Sequence, residues 1–456
     1  MSQEAIITCQ SYVINTTFWI ATAIFIVSLI VIITEKVHKA VVAIVGATLM
    51  LVLKILDQHE AFHLEELGVD WNVIFLLIST MVIINLMKPT GFFEYVAIKS
   101  AKWGRGEPFR ILAIFSIVTA FISALLPNVT TVILIAPVML LIADALEVNP
   151  TPYLISCALA SNIGGTATLI GDPPNLMIGS RVSLNFMDFV YHLTPIVIII
   201  MVCYIVAIKL IWGKQLQTKE SLKKRIMNMN EREAIKDPVM LRNSLFVLTV
   251  VFMGFIFHGM LGLEVATVGL FGAGLLLLLS RSKEPRHIFA EVEWSTIFFF
   301  IGLFIIVGGV VKVGLIKWMS IKMVEITGGN LFITSMVMIW FSAFASAIVD
   351  NIPYVATMIP LVSDMAKHLW PDLSGVQLLQ HPDLMPVWWS LALGACLGGN
   401  GTVIGAAANI VVVGMSEKIG QRISFMAFMK YGMPIMIMTV IVSTLYMWLR
   451  YYVFKI

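Results

Sequence analysis

Long apolar segments alternate with short polar ones along most of this chain. Eight apolar runs have roughly the 17 to 25 residues that cross a bilayer core. They cover about residues 17–34, 40–56, 71–88, 192–212, 243–260, 264–280, 294–312 and 427–449. Four further apolar segments are interrupted by glycine, proline and polar residues. The pattern predicts an all-α polytopic membrane protein.

The composition argues against a soluble protein. Of the 456 residues, 59% are apolar and 12% are charged, whereas soluble domains are about 25% charged. No Ser-His-Asp, HExxH or nucleotide-loop pattern is present, so neither an enzyme nor a bound cofactor is expected. The cysteines Cys9, Cys157, Cys203 and Cys396 have no paired spacing and indicate neither a disulfide framework nor a metal site. A net charge of +3 gives no reason to expect nucleic acid.

The largest hydrophilic stretch, residues 209–242, carries nine basic and four acidic residues. By the positive-inside rule it is a cytoplasmic linker. The basic loops at Lys36–Lys39, Lys99–Arg110 and Arg281–Arg286 and the acidic loop at Asp57–Asp70 fit the same orientation. The charges therefore predict that both termini face outward, and we expect the membrane to be a bacterial inner membrane.

One short sequence occurs twice. Ala120-Phe121-x-Ser123-Ala124-x-x-x-Asn128 returns 223 residues later and ends at Asn351. We therefore divide the chain into repeats 1–208 and 243–456, each with five spanning helices and a re-entrant hairpin, at about 109–147 and 331–367. An odd number of spans per half makes the second repeat inverted relative to the first, as in many secondary transporters.

A helix interrupted by polar residues follows each hairpin, at about 152–180 and 386–414. Its central motif, Gly164–Asn175, returns as Gly398–Asn409 with an offset of 234 residues. The two offsets differ by 11, which places an insertion in the loop around Trp370–Asp383. Free backbone groups cost several kcal/mol each in lipid, so such breaks survive only where protein or a polar cavity satisfies them. The breaks therefore indicate the binding site.

The hairpin tips and the breaks supply the candidate site residues. The candidates for solute or ion binding are Asn128, Thr130, Thr131, Gly164, Gly165, Thr166, Asn175, Asn351, Gly398, Gly399, Asn400, Thr402 and Asn409. Asp350 and Asp172 are the candidates for proton coupling, since an intramembrane acid must be paired, neutralised or hydrated. Asp350 is the stronger of the two, because Asp172 in Gly-Asp-Pro-Pro also fits a helix cap. No lysine or arginine lies in the four motifs, which disfavours a multiply charged anion.

These motifs resemble the ion transporter superfamily, in the branch that holds arsenite/antimonite permeases, D-type sodium/proton antiporters and the P protein. The likeness rests on Asn128–Thr131, Asn162–Asn175, Asp350–Pro360 and Ala395–Asn409. It implies a homodimer in which a transport domain carrying both hairpins moves against a scaffold, an elevator mechanism. The P protein usually has an aspartate where Pro127 stands here, which leaves Asp350 as the hairpin acid.

The resemblance and the neutral polar site together predict a secondary active transporter. Our first expectation is efflux of arsenite or antimonite by proton antiport, because a neutral trihydroxy solute suits asparagine, threonine and backbone groups. A sodium/proton antiporter is the alternative, and an organic-anion carrier of the citrate or dicarboxylate type or an anion channel follows. The expected partners are this solute, membrane lipid and a second copy of the chain, and assistance from a cytoplasmic ATPase subunit is left open.

Overall fold

The computed structural model describes residues 15–34, 36–64, 66–280 and 285–455. Cys9 and Arg281, which entered the sequence argument, lie outside these ranges. The described residues form helices and connecting turns, as the apolar pattern predicts.

Of the α-helices in the described residues, eleven begin at or before Glu220 and eleven begin at or after Pro238. The first set is α1 (Thr16–Thr34), α2 (Lys39–Val52), α3 (Gln58–His63), α4 (Trp71–Met87), α5 (Phe92–Trp103), α6 (Pro108–Leu125), α7 (Asn128–Ala145), α8 (Thr151–Gly165), α9 (Pro173–Val182), α10 (Phe186–Trp212) and α11 (Glu220–Met227). The second set is α12 (Pro238–Leu261), α13 (Val265–Ser280), α14 (Arg286–Ala290), α15 (Trp294–Lys312), α16 (Leu315–Thr327), α17 (Leu331–Ile348), α18 (Asn351–Leu369), α19 (Gly375–Leu379), α20 (Met385–Gly398), α21 (Ala407–Lys418) and α22 (Phe425–Met447), after which a π-helical turn runs to Val453.

Nine of the described helical segments are long and apolar enough to cross a membrane. They include both helices of the first hairpin and the first helix of the second hairpin. Two of the eight predicted spans, α2 and α13, are shorter, at 14 and 16 residues. The coarse prediction of a polytopic helical membrane protein is thus confirmed.

Two helix pairs and two interrupted helices occupy the segments that the sequence pattern assigns to the hairpins and the broken helices. The first hairpin is α6–α7 and the second is α17–α18, each joined by two residues. The first broken helix is α8–α9, interrupted over 166–172, and the second is α20–α21, interrupted over 399–406. Within the predicted insertion at Trp370–Asp383 the chain forms the short helix α19.

Helices α5 and α16 are absent from the sequence prediction, which assigned Lys99–Arg110 to a loop. The structure shows that α5 continues to Trp103 and therefore includes the first part of that segment. Both helices follow a glycine in the left-handed region, Gly91 with φ 80° and Gly314 with φ 89°. Glycine adopts this conformation without a steric cost, so the chain can turn sharply here before each hairpin.

The packing divides the long helices into two groups. The framework group consists of α1, α2, α4, α12, α13 and α15, in which α2 packs on α15 and α13 packs on α4. The hairpin group consists of α6–α10, α17, α18 and α20–α22, in which each hairpin packs on the broken helix that follows it. The groups touch where α15 meets α18, where α9 meets α4 and where α10 meets α12. The polar motifs therefore lie together in the hairpin group.

Candidate solute site

Both hairpin tips end at an asparagine. Asn128 is the first residue of α7 and Asn351 is the first residue of α18, and the side chain of each is buried. Proline or aspartate precedes each asparagine in an extended conformation, so the chain reverses in two residues. The two tips are thereby placed inside the protein, against the interrupted parts of the broken helices.

The two asparagines share one acceptor, Asp172. Nδ2 of Asn128 and Nδ2 of Asn351 each donate to Oδ1 of Asp172, both at 3.2 Å. Nδ2 of Asn351 is also 3.4 Å from Oδ2. The Asp172 side chain is completely buried, and although the residue precedes α9 it makes no capping hydrogen bond. Its carboxylate therefore belongs to the polar centre and does not act as the helix cap that the sequence also allowed.

No ion pair offsets the Asp172 carboxylate within the described part of the chain. Its hydrogen-bonding neighbours, the Asn128 and Asn351 amides and the Cys396 thiol, are neutral groups. A buried carboxylate without a cationic partner is strongly disfavoured unless it takes up a proton or binds a cation. Asp172 is thus chemically suited to hold either one.

Asn162 connects the two halves of the polar centre. Its Oδ1 accepts from Asn128 at 3.3 Å, and its Nδ2 donates to Oδ1 of Asn400 at 3.0 Å and to Oδ1 of Asn409 at 3.1 Å. Asn162 belongs to one of the four motifs but is not among the predicted site residues. The sequence does distinguish Asn162, because the residue that matches it in the second half is Cys396, so an asparagine stands at this position of the motif in the first half alone.

A matching contact runs from the second broken helix back to the first. Cys396 Sγ lies 3.5 Å from Oδ1 of Asn175. Cys396 is the counterpart of Asn162, and Asn175 is the counterpart of Asn409, each at the offset of 234. Each broken helix thus reaches the asparagine that follows the other's interruption.

Asn175 and Asn409 satisfy the free carbonyl groups of the interruptions. Asn175 Nδ2 donates to the backbone oxygens of Thr166 and Thr168, and Asn409 Nδ2 donates to those of Gly399 and Thr402. These bonds supply the partners that unwound backbone needs in a membrane. In both residues the amide nitrogen thus stabilises the interruption, and the amide oxygen faces the polar centre.

One glycine in each broken helix, Gly164 or Gly398, lets the preceding hairpin pack closely against that helix. A Cβ on Gly164 would lie 2.1 Å from the carbonyl oxygen of Ala120, and one on Gly398 would lie 2.5 Å from that of Ala343. Gly165 and Gly399 face the backbone of Gly171 and Gly405 across the interruptions. These predicted site glycines act through close backbone packing.

The predicted hydroxyl and amide ligands differ in their contacts. Thr166 and Thr402 donate to backbone carbonyls of Asn162 and Ala347. The buried Thr131 hydroxyl and Asn400 Nδ2 have no hydrogen-bond partner among the described residues, and Thr130 is half-buried. Thr131 and Asn400 therefore retain free hydrogen-bonding capacity beside the polar centre.

Asp350 has a partner that the sequence argument missed. Its Oδ2 lies 2.7 Å from Nζ of Lys39, and its Oδ1 accepts from the backbone N–H of Ile352, which caps α18. Lys39 belongs to α2, outside all four motifs, so the motifs do lack a basic residue although the folded site does not. In the sequence Lys39 reads only as part of a basic loop. The sequence favours Asp350 as the coupling acid and Asp172 as a possible helix cap. In the folded chain Asp350 caps a helix and has an ion-pair partner, whereas Asp172 does neither among the described residues.

Matched hairpins, matched helix breaks and a buried polar centre within a bundle of apolar helices define a membrane transporter. The chain belongs to the citrate transporter family, CitMHS, whose family model matches residues 29–394. This membership confirms the ion transporter superfamily and the P-protein branch that the motifs resemble.

The relatives agree with that assignment. An uncharacterized transporter of Mycobacterium bovis is 41% identical over 434 residues, which are 95% of this chain and 99% of the relative. A 46 kDa membrane protein of Mycobacterium leprae is 42% identical over 434 residues with the same coverage. The P protein of Homo sapiens is 30% identical over 513 aligned positions, covering 95% of this chain and 60% of the P protein.

Proposed function

We propose that this protein is a secondary antiporter of the bacterial inner membrane that exchanges protons for sodium at Asp172. The observation that carries the proposal is the convergence of Asn128 and Asn351 on one buried carboxylate that has no ion-pair partner among the described residues. Such a group is stable when protonated or when a cation binds it, but not when it is empty and charged. Proton and cation therefore compete for one place, which is the requirement for antiport.

The second carboxylate favours sodium over the other solutes. Asp350 directly precedes Asn351, so both acids lie beside the second hairpin tip. Carboxylate, amide and backbone oxygens are the ligands that hard cations prefer. Each interruption adds unwound backbone carbonyls, which coordinate sodium in other transporters with broken helices.

Arsenite efflux by proton antiport, the first expectation from the sequence, is the second candidate. Two observations favour it: the buried thiol of Cys396 lies beside Asn175, and Asn400 Nδ2 is an unused donor. A neutral trihydroxy solute could use both. It would not need the two carboxylates, and sodium therefore ranks above it.

An organic anion such as citrate fits the site less well, although the family carries the name of a citrate transporter. Among the described side chains, the one cation that reaches the hairpin tips is Lys39, and Asp350 already neutralises it. A tricarboxylate placed against Asp172 would meet charge of its own sign. Buried like charges repel strongly in a low-dielectric interior.

The division into two helix groups supports alternating access by an elevator movement. The hairpin group holds the polar centre as a unit, and its contacts with the framework group are limited to a few helices. We propose that the two halves are inverted repeats, that the hairpin group moves, and that the framework group forms the contact between two copies of the chain.

Proton flux into proteoliposomes tests the proposal. Vesicles with an imposed pH gradient and an internal pH-sensitive dye receive sodium chloride, choline chloride, arsenite or citrate. Sodium chloride should collapse the gradient and choline chloride should not. Asp172→Asn should reduce the sodium-dependent rate to that of protein-free vesicles. Asp144→Asn, which alters an exposed acid of the first hairpin, should keep the wild-type rate.

The other outcomes identify the alternatives. A gradient collapsed by arsenite and not by sodium would establish the second candidate, and Cys396→Ser should then weaken that flux. Uptake of citrate would establish the organic-anion carrier. Unitary currents in a planar bilayer would show that the protein is a channel and not a carrier.

A further inference from the structure

The ion pair between Lys39 and Asp350 joins the two helix groups. Lys39 is the first residue of α2 in the framework group, and Asp350 lies at the tip of the second hairpin. Their charged atoms are 2.7 Å apart, and the Asp350 side chain is only 6% exposed. The aromatic ring of Phe299, on α15 of the framework group, lies 4.8 Å from the Lys39 ammonium. The lysine is therefore fixed on the framework side while it neutralises an acid of the hairpin group.

A cavity of about 220 Å³ opens beside this pair. Lys39 and Asp350 both line it, together with Ile404, which lies in the interruption of the second broken helix. His38, apolar side chains of α1 and the following turn, and Ile410 of α21 form the remaining wall. A small solute in this cavity would meet the Asp350 carboxylate and unwound backbone of the second broken helix at once.

We propose that Lys39 is a specificity-determining residue of this cavity, an internal cation that occupies Asp350 until a solute cation displaces it. The inference rests on the proposed sodium/proton exchange and adds a second cation position to Asp172. An ammonium and a sodium ion carry the same single charge, so either can satisfy the carboxylate, but both together would repel. The cavity therefore holds Lys39 on Asp350 or a bound cation on Asp350.

The arrangement has no counterpart at the first hairpin tip. The position that matches Asp350 is Pro127, and the position that matches Lys39 at the offset of 223 is Gly262. Only one of the two hairpin tips can therefore exchange an internal cation for a solute. This makes the displacement specific to the second hairpin and predicts that a change at Lys39 acts on sodium affinity.

Sodium-dependent proton flux of Lys39 variants tests the proposal. Lys39→Met keeps the length of the side chain and removes its charge, so the apparent KM for sodium should fall about fivefold, the effect of losing one competing ion pair. Lys39→Arg keeps a competing cation and should keep a KM close to wild type. Lys312→Met is the matched control, because Lys312 pairs with Glu60 at 2.5 Å outside the polar centre. It should leave the KM unchanged.

A second measurement does not depend on transport. The melting temperature of the purified full-length chain is compared in sodium chloride and in choline chloride. Without sodium, Lys39→Met leaves Asp350 unpaired and should lower the melting temperature; sodium should restore it, whereas choline should not. The Lys39→Met/Asp350→Asn double variant removes the unpaired charge, so its melting temperature should respond to sodium no more than that of wild type does.

The possible outcomes distinguish a failure of the role proposed for Lys39 from a failure of the proposed sodium/proton exchange. If wild type responds to sodium but Lys39→Met leaves the KM unchanged or raises it, Lys39 is not a competitor and the proposed function stands. If no protein, including wild type, distinguishes sodium from choline, sodium exchange itself is wrong and the role of Lys39 fails with it.

Discussion

Asn162 of the first broken helix donates to Asn409 of the second at 3.1 Å. The matching residues of the other copy, Cys396 and Asn175, also face each other, at 3.5 Å. The contact therefore occurs twice, with the roles of the two halves exchanged. Because each broken helix contacts the asparagine that follows the interruption of the other, the polar centre is built from both halves of the chain.

Replacing Asn162 should disrupt both halves at once. In Asn162→Ala the carbonyl oxygens of Asn400 and Asn409 lose a buried donor, and each unsatisfied group costs about 1–3 kcal/mol. We expect a clear fall in melting temperature and loss of transport. Asn149→Ala removes an exposed amide that accepts from the N–H of Thr151 and should have a much smaller effect. An Asn162→Ala protein that melts and transports like wild type would contradict the central place of this amide.

Alanine at Gly164 or Gly398 should separate each hairpin from its broken helix. The added Cβ would meet a backbone carbonyl oxygen at 2.1 Å or 2.5 Å, which no side-chain rotation can relieve. Overpacking of this kind costs about 1–3 kcal/mol. Thermal unfolding in detergent should show the loss for both variants. Gly414→Ala, where no heavy atom lies within 4 Å of the new Cβ, should be neutral or slightly stabilising.

Asp172→Asn should separate stability from activity. The amide keeps the size of the side chain and an acceptor for Asn128 or Asn351, and it removes a buried charge that no cation offsets among the described residues. Neutralising an unpaired buried charge is neutral or stabilising. The variant should therefore melt at or above the wild-type temperature while it transports nothing. A large fall in melting temperature would assign Asp172 a structural role.

The linker should loosen in acid. The Lys102 ammonium donates to Glu231 at 2.6 Å and holds the pKa of that carboxyl below its ordinary value. A carboxyl with a lowered pKa stabilises the folded state above its ordinary pKa, and this contribution disappears as the pH falls through the lowered value. Proteolysis of residues 219–236 by an acid-active protease should therefore accelerate over that pH range.

Removal of the lysine should have the same effect at neutral pH. In Lys102→Gln the linker loses this ion pair and the bond from Lys102 to the backbone oxygen of Met229. Trypsin should then cut the linker faster, by a modest factor, because exposed ion pairs contribute little. Lys430→Gln, far along the sequence and outside these contacts, should not change the rate. Equal cleavage of all three proteins would mean that Lys102 does not hold the linker.

Much of the architecture follows from the sequence because it is encoded locally. Apolar run length sets the long helices, and the repeated motifs locate the hairpins and the interruptions within a few residues of their positions in the structure. The amphipathic helix α5 escaped prediction because its basic residues resemble those of a loop. A motif that occurs twice reports a shared local conformation, so it also identified Asn128 and Asn351 as tip residues.

The sequence by itself determined the helical membrane architecture, the two hairpins, the two broken helices and the set of polar residues at their centre. Only the tertiary structure decided which of these residues meet. Asn351 reaches Asp172 from 179 residues away, and Lys39 reaches Asp350 from 311 residues away. Hydropathy and repeats describe neighbours along the chain, whereas a buried charge is governed by the groups that packing brings against it. For that reason the helix cap and the ion pair belong to Asp350 in the folded chain, and the carboxylate without an ion-pair partner among the described residues is Asp172.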